Sequence, residues 1–211
     1  MKRENENSTN PTKPTIFNKN KLLFTSILIF LFGGLFLYLT NINEENKLSV
    51  PRQFTFKTVK DKKFNIESIP NYIKIEELKG KIVFLKVFGW DCEYCQKEIP
   101  ELIQLKQKFE GAFEIISIEE QHHSKEEHLK FIEKYNINYN IVNGDRQKEF
   151  LEYLKINYQW DGVIPLTIVL DDGGKILAFE VGYKSYSLTK LLQTTLKQLT
   201  QVAVPYEKYK R

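Results

Sequence analysis

Both cysteines of this 211-residue chain lie in one short segment, as Cys92 and Cys95. The apolar run 82–88 before them is short and rich in branched and aromatic side chains, which predicts a buried parallel strand. After Cys95 the apolar residues recur at helical spacing. The cysteines therefore fall where a strand passes into the first turn of a helix. Free backbone N–H groups and the helix dipole favour a thiolate there, so the Cys-x-x-Cys pair predicts a redox-active centre.

Three other interpretations of the cysteines stay open at this point. They could form a static disulfide, although static bridges more often close longer loops. They could be half of a zinc site, which needs two more ligands from only three histidines, His122, His123 and His128. They could also be two inert buried thiols. We favour the redox interpretation, expect no metal and no cofactor beyond a Cys92–Cys95 disulfide, and expect the two adjacent histidines to be surface residues.

The composition is that of a globular domain with an appendage. Hydrophobic residues make up 42 % of the chain and aromatic residues 13 %, which is enough for a core. The formal net charge is only +4, and no basic stripe with interleaved aromatic residues occurs. We therefore expect no nucleic-acid partner.

The N-terminal region predicts a membrane anchor. Residues 22–40 carry no charge and would form a helix of about 28 Å, close to the thickness of a bilayer core. This segment is longer than the apolar region of a signal peptide, and no small-residue cleavage site follows, so we expect an uncleaved anchor rather than a cleaved signal. Lysines precede the segment more densely than they follow it, which places the tail 1–21 in the cytoplasm. The remainder would lie on the extracytoplasmic (periplasmic) side of the cytoplasmic membrane.

After a polar linker at 41–53, the pattern predicts one folded domain at 54–200 and a polar tail at 201–211. Strands are expected at 54–59, 82–88, 113–118, 165–170 and 175–181, and helices after Cys95 and at 124–135, 145–156 and 188–199. We expect Ser124 and Asp145 to cap their helices and Pro100 to interrupt the first one. The order of elements predicts an α/β sandwich, with a mixed central sheet and helices on both faces.

Four features together resemble the thioredoxin superfamily, and within it the membrane-anchored TlpA/ResA/CcmG-like thiol-disulfide oxidoreductases, over about residues 54–199. The first is a strand followed directly by Cys-Glu-Tyr-Cys. The second is the Cys-x-x-Glu-x-Pro run at 95–100, and the third is Lys-Gly-Lys at 79–81. The fourth is the segment 163–176, which looks like the family's cis-proline loop, strand and hairpin turn. The resemblance implies a thioredoxin-like sandwich and a protein-disulfide oxidoreductase activity.

The chain departs from the family pattern around the cysteines. Asp91 stands where members usually have tryptophan, and Trp90 is one place earlier. Glu93 and Tyr94 replace a dipeptide that usually contains proline. Lys86 occupies the family's buried acidic or amide position, and we expect its stem to follow the core while its ammonium reaches water.

The resemblance implies roles for three catalytic residues. Cys92, at the helix N-terminus, would attack a substrate disulfide and form a mixed disulfide. Cys95 would resolve that intermediate. Glu98 follows Cys95 by three residues, hence on the same helix face, and would accept its proton; a solvated surface residue is the alternative for Glu98.

Four further residues are expected to bind substrate. Pro165, if its peptide bond is cis, would leave the Ile164 backbone free to pair with an extended substrate strand. Trp90 would border the site as an apolar rim, with core packing as the alternative. Tyr94 lies between the cysteines and would contact the same substrate.

Two directions of electron flow are open. A reductase would take electrons from a membrane thiol donor and reduce disulfides in proteins, with apocytochrome c as one candidate substrate. An oxidase or isomerase would not follow this cycle of electron transfer. Asp91 and Glu93 place negative charge beside Cys92, which disfavours the thiolate, makes the disulfide less oxidising and favours the reductase. A tethered copper chaperone is an alternative from another class, although such relatives use Cys-x-x-x-Cys with a distant histidine.

Overall fold

The computed structural model describes residues 32–35 and 51–202, and residues 32–35 are helical and exposed. Within these ranges no helix has the length and apolar character needed to cross a bilayer. The predicted span at 22–40 lies outside the described residues except at 32–35. The predicted cytoplasmic tail, most of the linker and most of the C-terminal tail lie outside them as well.

Residues 51–202 alternate strands and helices. The strands are β1 (Arg52–Lys57), β2 (Lys63–Ile69), β3 (Tyr72–Ile75), β4 (Ile82–Phe88), β5 (Phe113–Glu119), β6 (Asn140–Asn143), β7 (Leu166–Leu170) and β8 (Ile176–Val181). The helices are α1 (Glu93–Lys108), α2 (Lys125–Tyr135), α3 (Lys148–Tyr158) and α4 (Leu188–Val202), with short 3-10 turns at Glu76–Leu78 and Gly144–Gln147.

Five strands form the central sheet in the order β6-β5-β4-β7-β8. β4 pairs in parallel with β5, and β5 with β6, whereas β7 is antiparallel to both β4 and β8. All seven residues of β5 are buried, and so are six of the seven in β4, which explains their largely apolar sequences. The mixed sheet confirms the expected α/β class.

The successive side chains of β4 point to opposite faces of the sheet. Val83, Leu85 and Val87 join one apolar cluster, which contains side chains from β1–β3 and α3. Phe84 and Phe88 join the other, which contains Cys95 and side chains from α1, α2 and α4. Helices therefore cover both faces, as predicted, and α1 lies on the same face as Phe84 and Phe88.

A second, three-stranded sheet in the order β1-β2-β3 was not expected from the sequence, which predicted only one strand before β4. All its pairs are antiparallel, and its two turns place Asp61 and Asn71 at positive φ. The signal was available, because Phe64, Ile66 and Ser68 alternate with polar residues along β2 and are buried.

Two helix predictions need correction, and one is confirmed. α1 runs without interruption through Pro100. Asp145 is not a helix cap: the Asn143 side chain accepts a hydrogen bond from the Asp145 backbone N–H at 2.9 Å and starts a 3-10 turn, after which α3 begins at Lys148. The capping box at Ser124 is present at the start of α2.

Candidate active site

The two cysteines form a disulfide at the N-terminus of α1. Cys92 is the N-cap residue, and its sulfur accepts a hydrogen bond from the Cys95 backbone N–H at 3.1 Å. Cys95 is 3 % exposed, whereas Cys92 is only partly buried. A sulfur at Cys92 therefore receives both the free N–H groups and the positive end of the helix dipole, which favour a thiolate. The geometry makes Cys92 the accessible sulfur and Cys95 the enclosed one.

Glutamine side chains hold the loop between β4 and α1. The Asp91 backbone N–H donates to Gln121 Oε1 at 2.9 Å, and Gln96 Nε2 donates to the Trp90 carbonyl oxygen. The Gln121 side chain also lies against Gly89, where an added Cβ would approach it within 2.5 Å. Gln121 follows β5, so the loop is braced from the neighbouring strand.

Trp90 packs inside this loop and is only partly exposed. Its ring stacks on His123, with centroids 3.7 Å apart, and on Phe131 of α2, with centroids 4.6 Å apart. His123 Nδ1 lies 2.9 Å from Oε1 of Glu119, which is fully buried. The structure therefore gives Trp90 the packing contacts of the alternative interpretation. Its role as an apolar rim for substrate stays a prediction.

The three histidines differ in their surroundings. His122 is exposed and pairs with Asp145, as expected of a surface residue. His123 is about one-fifth exposed and is held by Trp90 and Glu119, so it is not the surface residue that we predicted. His128 is fully buried, and burial lowers the pKa of its imidazole against the opposing charge of Glu119.

The loop before β7 lies beside the cysteine loop. The Ile164–Pro165 peptide bond is cis, as the resemblance implies. β7 runs antiparallel to β4 with Leu166 opposite Val87, so Pro165 lies at the end of the sheet from which the cysteine loop leaves β4. Ile164 packs against the cluster that contains Cys95, and Val163 before it is 46 % exposed. The sheet register therefore places the predicted residues Ile164 and Pro165 at the same end of the sheet as the cysteine loop.

An exposed aromatic pair borders the same region. The ring of Tyr94 stacks on Tyr183 with centroids 4.8 Å apart, and both residues are about half exposed. Tyr183 follows Gly182, whose backbone N–H donates to the Pro165 carbonyl oxygen at 2.8 Å. This contact links the pair to the proline loop. The pattern around Cys92 gave no signal for Tyr183, because Tyr183 lies far along the chain from Cys92.

A buried ion pair lies under α1. Lys86 is 1 % exposed, and its Nζ lies 2.9 Å from Glu98 Oε2 and also donates to Thr167 Oγ1. The prediction that the Lys86 ammonium reaches water is wrong, because Phe84 and Phe88 on the same face of β4 are buried under α1 and leave the side chain no route to solvent. Burial lowers the pKa of Lys86, and Glu98 opposes this effect without cancelling it.

Glu98 is therefore not the solvated helix residue considered as the alternative. Its side chain is 10 % exposed and lies on the face of α1 that carries Cys95. The Glu98 charge also contributes to the raised pKa of Tyr139, after the larger effect of burial. The catalytic roles of Cys92, Cys95 and Glu98, and the substrate contacts of Trp90, Tyr94, Ile164 and Pro165, stay predictions.

The fold and the site together define a thioredoxin-fold protein with a Cys-x-x-Cys disulfide at a helix N-terminus. The chain belongs to the AhpC/TSA family, whose model matches residues 52–179. The thiol-disulfide oxidoreductase ResA of Bacillus thuringiensis is 26 % identical over 192 residues, which cover 86 % of this chain and 98 % of the relative.

Two solved structures show the same fold. The thioredoxin domain of a thiol-disulfide oxidoreductase from Bacteroides vulgatus has a TM-score of 0.52 and 24 % identity, and the match covers 71 % of this chain and 95 % of that one. A DsbF homologue from Corynebacterium diphtheriae has a TM-score of 0.53 and 18 % identity, over 70 % of this chain and 85 % of that one. The class expected from the sequence, a thiol-disulfide oxidoreductase, is confirmed.

Proposed function

We propose that this protein is a membrane-tethered, extracytoplasmic oxidoreductase that reduces disulfides in other proteins through Cys92 and Cys95. The observation that carries the proposal is the unequal exposure of the two sulfurs at the start of α1. Cys92 is partly exposed whereas Cys95 is only 3 % exposed, which is the division that a mixed-disulfide mechanism needs. The tether rests on the uncharged segment 22–40.

The reaction begins with both cysteines reduced. The Cys92 thiolate attacks one sulfur of a substrate disulfide, forms a mixed disulfide and releases the other substrate sulfur as a thiolate, which takes a proton. Cys95 then loses its proton and attacks the Cys92 sulfur. The Cys92–Cys95 bond forms, the bond to the substrate breaks, and the second substrate thiolate leaves and is protonated. The substrate gains two electrons, and the Cys92–Cys95 pair loses two.

Glu98 is the proposed acceptor of the Cys95 proton. Its side chain lies on the Cys95 face of α1 and is 10 % exposed, so it is better placed than bulk water to take a proton from an enclosed thiol. Glu98→Gln keeps the shape of the side chain but removes this base.

The direction of electron flow follows from the charges around Cys92. Asp91 is exposed next to Cys92, and its carboxylate disfavours the thiolate. Glu93 acts less strongly, because Lys97 Nζ lies 2.6 Å from its carboxylate. A less stabilised thiolate makes a less oxidising disulfide, which supports a reductase over an oxidase or isomerase. A membrane thiol carrier would then supply the electrons, and apocytochrome c is a candidate substrate.

The test is to trap substrates in cells. We expect Cys95→Ala to accumulate mixed disulfides with other proteins on Cys92, because the resolving thiol is gone. Cys92→Ala is the matched control and should accumulate few. Equal trapping by the two variants would contradict the assignment of Cys92 as the attacking cysteine and Cys95 as the resolving one.

A second measurement determines the direction of electron flow. A reductase should hold Cys92 and Cys95 mainly reduced in growing cells, which alkylation of free thiols before lysis records. A mainly oxidised pair would support the oxidase or isomerase instead. Titration of the reduced protein with copper separates both from a copper chaperone, which would bind the metal stoichiometrically.

A further inference from the structure

A lysine lies in the apolar layer that supports the redox disulfide. Lys86 shares its face of β4 with Phe84 and Phe88, and both phenylalanines pack in the cluster that contains Cys95. Phe88 is the last residue of β4, and the cysteine loop follows it directly. The Lys86 side chain therefore projects into the layer between the sheet and the first turns of α1, two residues before the loop that carries Cys92.

The contacts of this ammonium come from two neighbouring elements. Glu98 approaches from α1 at 2.9 Å, and Thr167 accepts a hydrogen bond from the neighbouring strand β7. Glu101, one turn further along α1, adds a weaker favourable charge, and Glu98 also interacts with Tyr139. Because a lone buried charge is unfavourable, the ionised forms of Lys86 and Glu98 depend on each other.

Thr167 also ties this pair to the proline loop. It is the second residue after Pro165, and its register partner on β4 is Lys86. The ammonium is thus fixed between the helix that carries the cysteines and the strand that follows the cis-proline. Because an unpaired buried ammonium is unfavourable, the contacts with Glu98 and Thr167 allow a lysine to occupy this position.

We propose that Lys86 is a positioning residue of the redox reaction, whose ammonium holds the Glu98 carboxylate in place on the Cys95 face of α1 so that Glu98 can take the Cys95 proton. This inference rests on the proposed function, because it concerns the step in which Cys95 resolves the mixed disulfide. In that step the proton moves from the Cys95 sulfur to Glu98, the Cys95 thiolate attacks the Cys92 sulfur, and the substrate sulfur leaves with the electron pair. Lys86 exchanges no proton and forms no bond.

The two charges should act on the thiols in opposite directions. The Lys86 cation favours a thiolate and the Glu98 anion disfavours it, so in the native protein their effects largely cancel. Removal of Glu98 alone leaves the Lys86 cation without the opposing Glu98 anion, and the thiol pKa should fall. Removal of Lys86 alone leaves a carboxyl group without its cation, and the thiol pKa should rise. Removal of both should bring it back towards the native value.

The experiment compares Lys86→Met, Glu98→Gln and the double variant with the native protein, all reduced. Each is mixed with dithiobis-nitrobenzoate, an aromatic disulfide that releases one coloured thiol when Cys92 attacks and a second when Cys95 resolves the mixed disulfide. The rate of the second release, recorded against pH, reports the ionisation of Cys95. We expect its midpoint to move up by about one pH unit in Lys86→Met and down by about one unit in Glu98→Gln. The double variant should lie between them.

Lys106→Met is the matched control. Lys106 lies on α1, like Glu98, and pairs with Glu114 at 3.5 Å in a partly buried environment far from the cysteine end of that helix. This variant should overlay the native curve. If Lys86→Met does not fold, Glu98→Gln and the double variant still isolate the lysine, because they differ at Lys86 alone and leave no unpaired carboxylate.

Three outcomes would overturn the proposal. In the first, Lys86→Met overlays the native pH curve while Glu98→Gln does not. In the second, the Lys86 and Glu98 variants move the midpoint in the same direction, as a general loosening of the site would. In the third, the double variant matches Glu98→Gln. None of these depends on the physiological substrate, so a failure to trap proteins in cells would count against the proposed function and leave this test standing.

Discussion

At the scale of single residues, the Lys86–Glu98 pair couples chemistry to stability. Both side chains are enclosed, and each is the other's charged partner at 2.9 Å. Breaking such a pair from one side leaves an uncompensated buried charge, whereas replacing both partners with uncharged groups is often neutral or stabilising. The two kinds of variant should therefore differ sharply in stability.

We expect Lys86→Met to lower the free energy of unfolding of the oxidised protein by about 3 kcal/mol, because Glu98 loses its cation. The double variant with Glu98→Gln should recover most of this loss. Urea unfolding of both variants, followed by circular dichroism at neutral pH, measures the difference. A double variant that is less stable than Lys86→Met alone would show that the two residues stabilise the fold independently.

The sequence correctly placed Cys95 and Glu98 on one helix, because their spacing defines it, and the proline motif correctly implied a cis bond at Pro165. It did not predict the position of the Lys86 ammonium. A lysine in a strand normally directs its charge to water, and its partner Glu98 lies twelve residues away on another element. Only the packing of α1 over β4 decides whether the Lys86 ammonium reaches water or is buried against Glu98. The same holds for His123, whose partners Trp90 and Glu119 come from two different elements.

At the scale of elements, α1 fixes α4 as well as the cysteines. The Glu101 carboxylate accepts hydrogen bonds from the Leu188 and Thr189 backbone N–H groups at 3.0 and 2.8 Å, and from Thr189 Oγ1 at 2.7 Å. These are free N–H groups of the first turn of α4, where a negative charge is also favoured by the helix dipole. Glu101 therefore caps a helix from outside its own element.

We expect Glu101→Gln to lower the free energy of unfolding by roughly 0.5 kcal/mol at neutral pH. Burial raises the pKa of the Glu101 carboxyl, but the hydrogen bonds from Thr189 and Leu188 outweigh burial and leave the pKa below its ordinary value. The stabilisation is therefore complete above the unfolded-state pKa of about 4.3 and is lost as the pH falls through the lower folded-state value.

Urea unfolding at a series of pH values should show the two stability curves converging in acid. The exposed Glu110, just beyond α1, gives the control variant Glu110→Gln, which should follow the native protein throughout. A Glu101→Gln deficit that stays constant down to the most acidic pH would mean that the carboxylate charge contributes nothing to the docking of α4.

Helices and strands with a strong local sequence signal were predicted. Short strands that depend on backbone pairing with a neighbouring strand were not. The largely apolar runs of β4 and β5 and the capping box of α2 are local signals, and the sequence predicted all three. β6 has four residues, and it is a strand because its backbone pairs with β5. The β2–β3 hairpin depends in the same way on an antiparallel partner.

At the scale of the whole molecule, the proposed function joins a redox domain to a membrane. The structure supports the redox domain, whereas the membrane tether is inferred from the sequence alone. Residues 22–40 lack charge over a length that fits a bilayer, and no small-residue cleavage site follows. An anchor would hold the Cys92–Cys95 pair close to a membrane thiol donor and raise their effective concentration for each other.

We therefore expect the full chain to keep its N-terminus in cells and to stay with the membrane fraction during alkaline extraction. Mass spectrometry of the mature chain and a blot of the two fractions measure both properties. The matched variant carries Leu28→Arg and Leu31→Arg, because an arginine at the centre of a span costs about 3 kcal/mol to insert. Two of them should move most of the protein out of the membrane fraction while the redox domain still reacts with dithiobis-nitrobenzoate. A native mature chain that begins after residue 40 would instead make the segment a cleaved signal, and the reductase would then have to meet its electron donor by diffusion.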